Sequence, residues 1–249
     1  IVDKGKTFNV QNLDINTASS DFGGTLQDGK LYITTSRNDN RKKYGWNEEP
    51  FLDIYEMSKN ADGTYLAAAL VEDKVNTKYH EGVVSFSPDG NTMYFSRESF
   101  FERKFIKDDE GKSTINIYSA ENIDGEWKNV KKLPFNGENH NTGAPAVTPD
   151  GKQLYFSSDR EGSLGGADLW VVDILGNNQY SEPKNLGPTI NTEAREAFPY
   201  ISKENRLYFA SNGHYGFGNL DVYVVEINNG DYSKPRNLGA PINTGKDDF

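Results

Sequence analysis

The segment Ala146–Ile174, "AVTPDGKQLYFSSDREGSLGGADLWVVDI", decides the fold. A short apolar run leads into Pro149-Asp150-Gly151, "QLYFSS" carries the chain back, and after a Gly-rich bend "DLWVVDI" opens at Asp168. Pro fixes φ at the start of such a turn, Asp bonds its own backbone, and Gly supplies positive φ. Ser85–Ser99, "SFSPDGNTMYFSRES", is a near-copy, and Tyr200–Ile227, "YISKENRLYFASNGHYGFGNLDVYVVEI", is a looser one. Aligning Leu31-Tyr32, Met93-Tyr94, Leu154-Tyr155 and Leu207-Tyr208 yields four units, their tyrosines 62, 61 and 53 residues apart. Repetition at such a period organises the whole reading.

Each unit holds four short runs rich in aromatic and β-branched residues, separated by Gly, Pro, Asn and Asp. Such runs predict strands. Four strands per unit, repeated, predict an all-β chain of four-stranded antiparallel blades, a β-propeller. A lone four-stranded sheet cannot bury either face, so each blade must pack on the next. The fourth run carries Pro183 and Pro235 at matching positions, and Pro within a sheet belongs on an edge. The fourth strand is therefore expected at the rim and the first beside the channel. The charged insertions "RNDNRKKYGWNEEP" and "FERKFIKDDEGKST" read as loops between second and third strands. The chain is expected to be one propeller domain over 1–249, with blades over 16–75, 76–138, 139–190 and 191–242. "TFNVQNLDINT" matches "YSEPKNLGPTINT", so residues 1–15, Thr7 to Leu13 in particular, are expected to form the outer strand of a further blade. Residues 243–249 would start that blade, making the chain four complete blades of a five-bladed ring.

The formal charge is −10. An acidic surface disfavours nucleic acid, whose phosphates need a basic footprint, and anionic bilayers. No apolar run approaches the roughly 18 residues of a membrane span. There is no Cys, which excludes disulfides and Cys-ligated metals. The first residues, "IVDKGKTFNV", contain neither an initiator Met nor a signal peptide and read as those of an excised or processed piece.

Several residue sets invite a functional reading. Asp21, Glu81, Thr142 and Glu196 recur where the first strand of each unit starts, with Asp248 next in line. They could ring one channel mouth with acid and seat a cation or a basic segment, or they could cap the amides of the linkers. Tyr44, Trp46, Phe100, Phe101 and Phe105 in the two insertions could form a partner surface or pack onto the blades. Asp53, Asn116, Asp168 and Asp221 precede each third strand. There a carboxylate can accept backbone N–H bonds from the bend, and no D-x-D-x-D-G array marks a calcium loop. His80 and His140 occupy comparable linkers, but no third ligand is indicated. No metal or cofactor is therefore assigned. No nucleophile elbow, HExxH or P-loop occurs. A propeller glycoside hydrolase using two carboxylates leaves little motif, so it stands as the alternative function. Against it, most acids here lie at repeat-equivalent positions, where structural residues belong.

"SFSPDGNTMYFS" and "TPDGKQLYFSSDREGSLGGADLW" resemble WD40-like propeller repeats of the TolB type. The connections "NLGPTINTEAREAFPYIS" and "NLGAPINTGKDDF" resemble the propeller domain of multidomain OmpA-family proteins of the Bacteroidetes cell envelope. That resemblance implies a non-enzymatic scaffold, periplasmic and associated with the outer membrane. Its partners would be other envelope proteins in an assembly or secretion complex. In that family, helical repeats precede the propeller. A regulatory-like domain and a peptidoglycan-binding domain follow it, so peptidoglycan contact is assigned to no residue here.

Overall fold

The computed structural model describes residues 8–45, 47–71, 74–228 and 230–249. The described chain is all β, and its strands form four consecutive antiparallel sheets. Blade 1 runs outward through β1 (Asp21–Gln27), β2 (Lys30–Thr35), β3 (Asp53–Ser58) and β4 (Ala69–Leu70). Blade 2 holds β5 (Glu81–Phe86) and β6 (Thr92–Glu98), then a small hairpin of β7 (Phe100–Phe101) and β8 (Lys104–Phe105), then β9 (Ile115–Ile123) and β10 (Glu126–Lys132). Blade 3 holds β11 (Thr142–Val147), β12 (Gln153–Ser158), β13 (Asp168–Gly176), β14 (Gln179–Tyr180) and β15 (Lys184–Asn185). Blade 4 repeats this with β16 (Glu196–Ile201), β17 (Arg206–Ser211), β18 (Asp221–Asn228), β19 (Asp231–Tyr232) and β20 (Arg236–Asn237). In blades 3 and 4 the outer strand is two short pieces on one partner, with Pro183 and Pro235 just before the second piece. A missing N–H is tolerated on such an edge.

The turns follow their residues. Asp28-Gly29, φ 49° and 75°, closes the first hairpin. Gly90 and Gly151 take φ of 70° and 72° after their Pro-Asp pairs, and blade 4 places Asn205 at φ 58° in the same role. One feature of the inner strands is less ordinary. The third residue of each, Gly23, Val83, Ala144 or Phe198, has φ of 66°, 40°, 51° or 51°, and the pairing register shifts there. A β-branched residue at positive φ is strained and must be held by its surroundings. The Val83 amide donates to Thr34 Oγ1 of blade 1 at 2.7 Å, and the Ala144 amide to Ser96 Oγ of blade 2 at 2.8 Å. Ser157 of blade 3 donates to the Glu196 carbonyl at 2.8 Å. The bulges of blades 2, 3 and 4 are thus each pinned to the preceding blade.

The core lies between blades. Tyr32 and Ile54 pack on Phe86, Met93 and Phe95; Tyr94 and Ile117 on Leu154 and Phe156; Tyr155 and Leu169 on Leu207 and Phe209. Blade 4 meets blade 1 through Phe198 and Phe22, edge to face at 6.5 Å, with Phe249 stacked on Phe198 at 4.5 Å. Two expectations change in detail. The second insertion contains the β7–β8 hairpin rather than loop alone. Residues 8–13 form no strand, and Thr7 lies outside the described residues.

Candidate binding face at the channel mouth

The inner strands start at one mouth of the channel, and the second-to-third connections of every blade reach the same end. A cavity of about 610 Å³ opens there, with Phe22, Val83, Ala144 and Phe198 among its apolar lining. Asn141, Asp159 and Arg195 contribute polar groups.

The acidic positions do not form an open ring. Glu81 and Glu196 are buried, and each turns back onto its own linker. Thr77 donates its amide and hydroxyl to Glu81 at 2.9 and 2.6 Å, and Thr192 donates to Glu196 at 2.8 and 2.7 Å. Thr17 and Asp21, and Thr244 and Asp248, repeat that pairing. A Thr four residues before the acid is the local signal, because four residues of tight linker bring its amide to the carboxylate. The carboxylates of Glu81 and Glu196 therefore act as buried caps on their own linkers. Asp21 and Asp248 cap too, although they are less buried. In the third unit, whose linker is one residue longer, Gly137 follows the linker Asn where the others have Thr, and Thr142 stands in the acid's place.

Charge is balanced differently at each cap. Arg37 pairs with Asp21 at 2.7 Å, and Arg97 with Glu81 at 3.0 Å. Burial raises the Asp21 carboxyl, but bonds from Thr35, Arg37 and Thr17 outweigh it and leave the group below its ordinary range. At Glu81 burial wins, and the carboxyl is pushed up to about 7 despite Arg97.

These arginines belong to a repeated device not apparent in the sequence. Arg37 lies over Tyr55 at 5.6 Å, Arg97 over Tyr118 at 4.9 Å, and Arg160 over Trp170 at 5.4 Å. The His214 ring sits 5.2 Å from Tyr223. Each reaches the linker carbonyl two residues before the Thr position: Ile15 at 3.2 Å, Val75 at 2.6 Å, Phe135 at 3.2 Å and Ile190 at 2.8 Å. The only written trace is Arg two residues after a strand-end hydroxyl, at Thr35 and Ser158.

The insertions of blades 1 and 2 meet in one aromatic cluster. Tyr44 lies 4.9 Å from His80, His80 4.5 Å from Phe51, and Phe51 6.1 Å from Tyr79. Tyr79 lies 4.9 Å from Phe100 and 4.7 Å from Phe105. Phe101 turns the other way, 5.6 Å from Tyr118 and against the blade 2 core. Phe101 thus packs onto its blade, while Tyr44, Phe100 and Phe105 join a cluster with the linker aromatics. Tyr44 stays exposed, Phe100 and Phe105 half-buried. Trp46 lies outside the described residues. Nδ1 of His80 accepts from the Leu52 amide at 3.1 Å, and burial holds the ring below its ordinary pKa.

The residues before each third strand serve the bends. Asp168 accepts the amides of Leu164 and Gly165, and Asp221 those of Phe217 and Gly218. A Cβ at Gly216 would overlap the Asp221 carboxylate, which accounts for that glycine. Asp53 is bridged instead by Arg41 at 2.6 Å.

No protein-family model and no curated protein matches the sequence. Solved structures do. A protein described as TolB from Agrobacterium tumefaciens is 17% identical with a TM-score of 0.52, over 85% of this chain and 61% of that one. A family 117 glycoside hydrolase from Zobellia galactanivorans is 15% identical with a TM-score of 0.54, over 94% and 74%. An α-L-arabinofuranosidase from Lactobacillus brevis is 10% identical with a TM-score of 0.51, over 90% and 72%. The chain spans about three-fifths of the first of these. The shared property is the β-propeller fold, which TolB and propeller hydrolases alike possess.

Proposed function

We propose that this propeller is a non-enzymatic protein-binding module of a periplasmic, outer-membrane-associated protein of the OmpA-family type, serving an envelope assembly or secretion complex. One observation carries the reading: blades 1 and 2 carry long insertions at the mouth, joined through the cluster from Tyr44 to Phe105. Long loops on a repeated scaffold are where binding function concentrates. The acids support it too. Glu81 is enclosed by Thr77 and Arg97, and Asp159 accepts both the Asn141 amide and its side chain, at 2.5 and 2.6 Å. Both carboxylates are already engaged by donors of the chain itself, as structural acids are.

Photo-crosslinkers placed at Tyr44 and at Phe100 in the cell should give the same discrete envelope-protein adduct, lost when β7–β8 is replaced by a short turn in a protein that still folds. Glycoside hydrolysis abolished by Asp159→Asn, with no adduct at either position, would reverse the assignment in favour of an enzyme.

A further inference from the structure

Three blade interfaces are complete, and a fourth face repeats their pattern uncovered. On the forward face of blades 1 to 3, Tyr32, Tyr94 and Tyr155 are buried, as are Ile54, Ile117 and Leu169, and Val71, Leu133 and Leu186. Their blade 4 counterparts Tyr208, Val222 and Leu238 are only half-buried. Tyr200, in the register of Ala146, is 60% exposed where Ala146 is 4%. The backward face of blade 1 mirrors this. Leu26 is 66% exposed, whereas Phe86, Val147 and Ile201 at its position are 8%, 9% and 4%.

Polar contacts tell the same story. Asn76, Asn136, Asn191 and Asn243 each bond both the amide and the carbonyl of a third-strand residue, Ile54, Ile117, Leu169 and Val222. Asn16 holds the same place in its linker, yet among the described residues it makes no such pair and stands exposed. Thr244 and Asp248 already form the cap that starts an inner strand in blades 1, 2 and 4.

We infer that the seam between blades 4 and 1 is a docking surface for one further four-stranded blade of the same repeat. Its innermost strand would start at Asp248-Phe249, its third strand would satisfy Asn16, and Phe8–Leu13 would become its outer strand. Continuity with three existing interfaces selects this occupant. A sheet of that register covers Leu26 and Tyr200 together and gives Phe8, Val10 and Leu13, all exposed, a ladder to join.

The chain has no cysteine, so Leu26→Cys and Tyr200→Cys report on the seam by maleimide labelling, with exposed Leu175→Cys as the reference. Both seam thiols should react as fast as the reference in residues 1–249, and at least about tenfold slower in the polypeptide as the cell makes it. In the unsubstituted polypeptide, hydrogen exchange should show the Asn9–Leu13 amides protected. Equal labelling in both forms, or unprotected amides, overturns the inference. So does slowing in residues 1–249 as concentration rises, which assigns the seam to a second copy.

Discussion

In blade 2 the Arg97 guanidinium lies over Tyr118 and faces the Glu81 carboxylate 3.0 Å away. In blade 3 Arg160 lies over Trp170 and faces only the Thr142 hydroxyl, also at 3.0 Å. Both arginines are buried, and both reach the preceding linker. Blade 2 thus pairs its cation directly, while blade 3 leaves Arg160 to the ring face, carbonyl and hydroxyls, with the neighbouring Asp159 charge acting on it without an ion pair. Burial pulls Arg160 down to about 10, yet it stays charged at neutral pH. Every blade places a planar donor on an aromatic face against the linker, and the counter-charge varies.

The largest effect belongs to Glu81→Ala. It strips Thr77 of its acceptor and leaves Arg97 buried without its partner. Breaking a buried pair from one side costs about 3–5 kcal/mol, read from the urea midpoint at unchanged slope. A cost under about 1 kcal/mol would mean the carboxylate is dispensable and the two blades equivalent.

Next comes pH. Folded Glu81 holds its proton more tightly than an ordinary Glu, with a pKa near 7 against 4.5. Its contribution favours the fold fully below about 4.5 and is lost as pH rises through about 7, at most on the order of 3 kcal/mol. Asp21 has the opposite sign: its lowered pKa stabilises above 3.8 and is lost on acidification. His80 and His140, both lowered by burial, also lose stability as pH falls through their folded values. Subtracting the Glu81→Gln profile from that of the parent between pH 5 and 8 isolates Glu81. A flat difference would place its titration outside the window.

A smaller step is Thr142→Val, which keeps shape and removes one bond to Arg160. It should cost about 1 kcal/mol by thermal unfolding. A loss approaching that of Glu81→Ala would give the hydroxyl the weight of a counter-charge.

How much of this could be read in advance varies by range. The blades were legible because turn chemistry and strand periodicity are local: Pro149-Asp150-Gly151 and "QLYFSS" specify a hairpin within a dozen residues. The edge role of Pro183 and Pro235 was legible for the same reason. The acidic positions are legible by counting and linker capping is one of the two readings open there, but choosing between them takes contacts such as those of Thr77 to Glu81 and Thr192 to Glu196. The arginine-on-aromatic unit was missed because it joins a loop, another strand and a linker. The Val83 bulge was invisible: no β-branched residue announces positive φ, and the support comes from Thr34 in another blade.

The smallest effect should come from Arg160→Met. Methionine follows the same path over Phe156 and Trp170, so most of the packing remains. The change loses the donor to Phe135 and the bonds to Ser158 and Thr142. It also removes a buried cation that has no ion-pair partner and only the nearby Asp159 charge to offset its desolvation, which opposes folding. These terms are of similar size, so the net change should stay within about 1 kcal/mol of zero. Arg97→Met should also cost less than Glu81→Ala, because Glu81 can take up a proton when its partner leaves, whereas Arg97 cannot shed one. Calorimetry on Arg160→Met, Arg97→Met and Glu81→Ala at pH 7 orders the three directly. If Arg160→Met proves as damaging as Glu81→Ala, the stability lies in the guanidinium's hydrogen bonds, and the counter-charge in blade 2 is incidental.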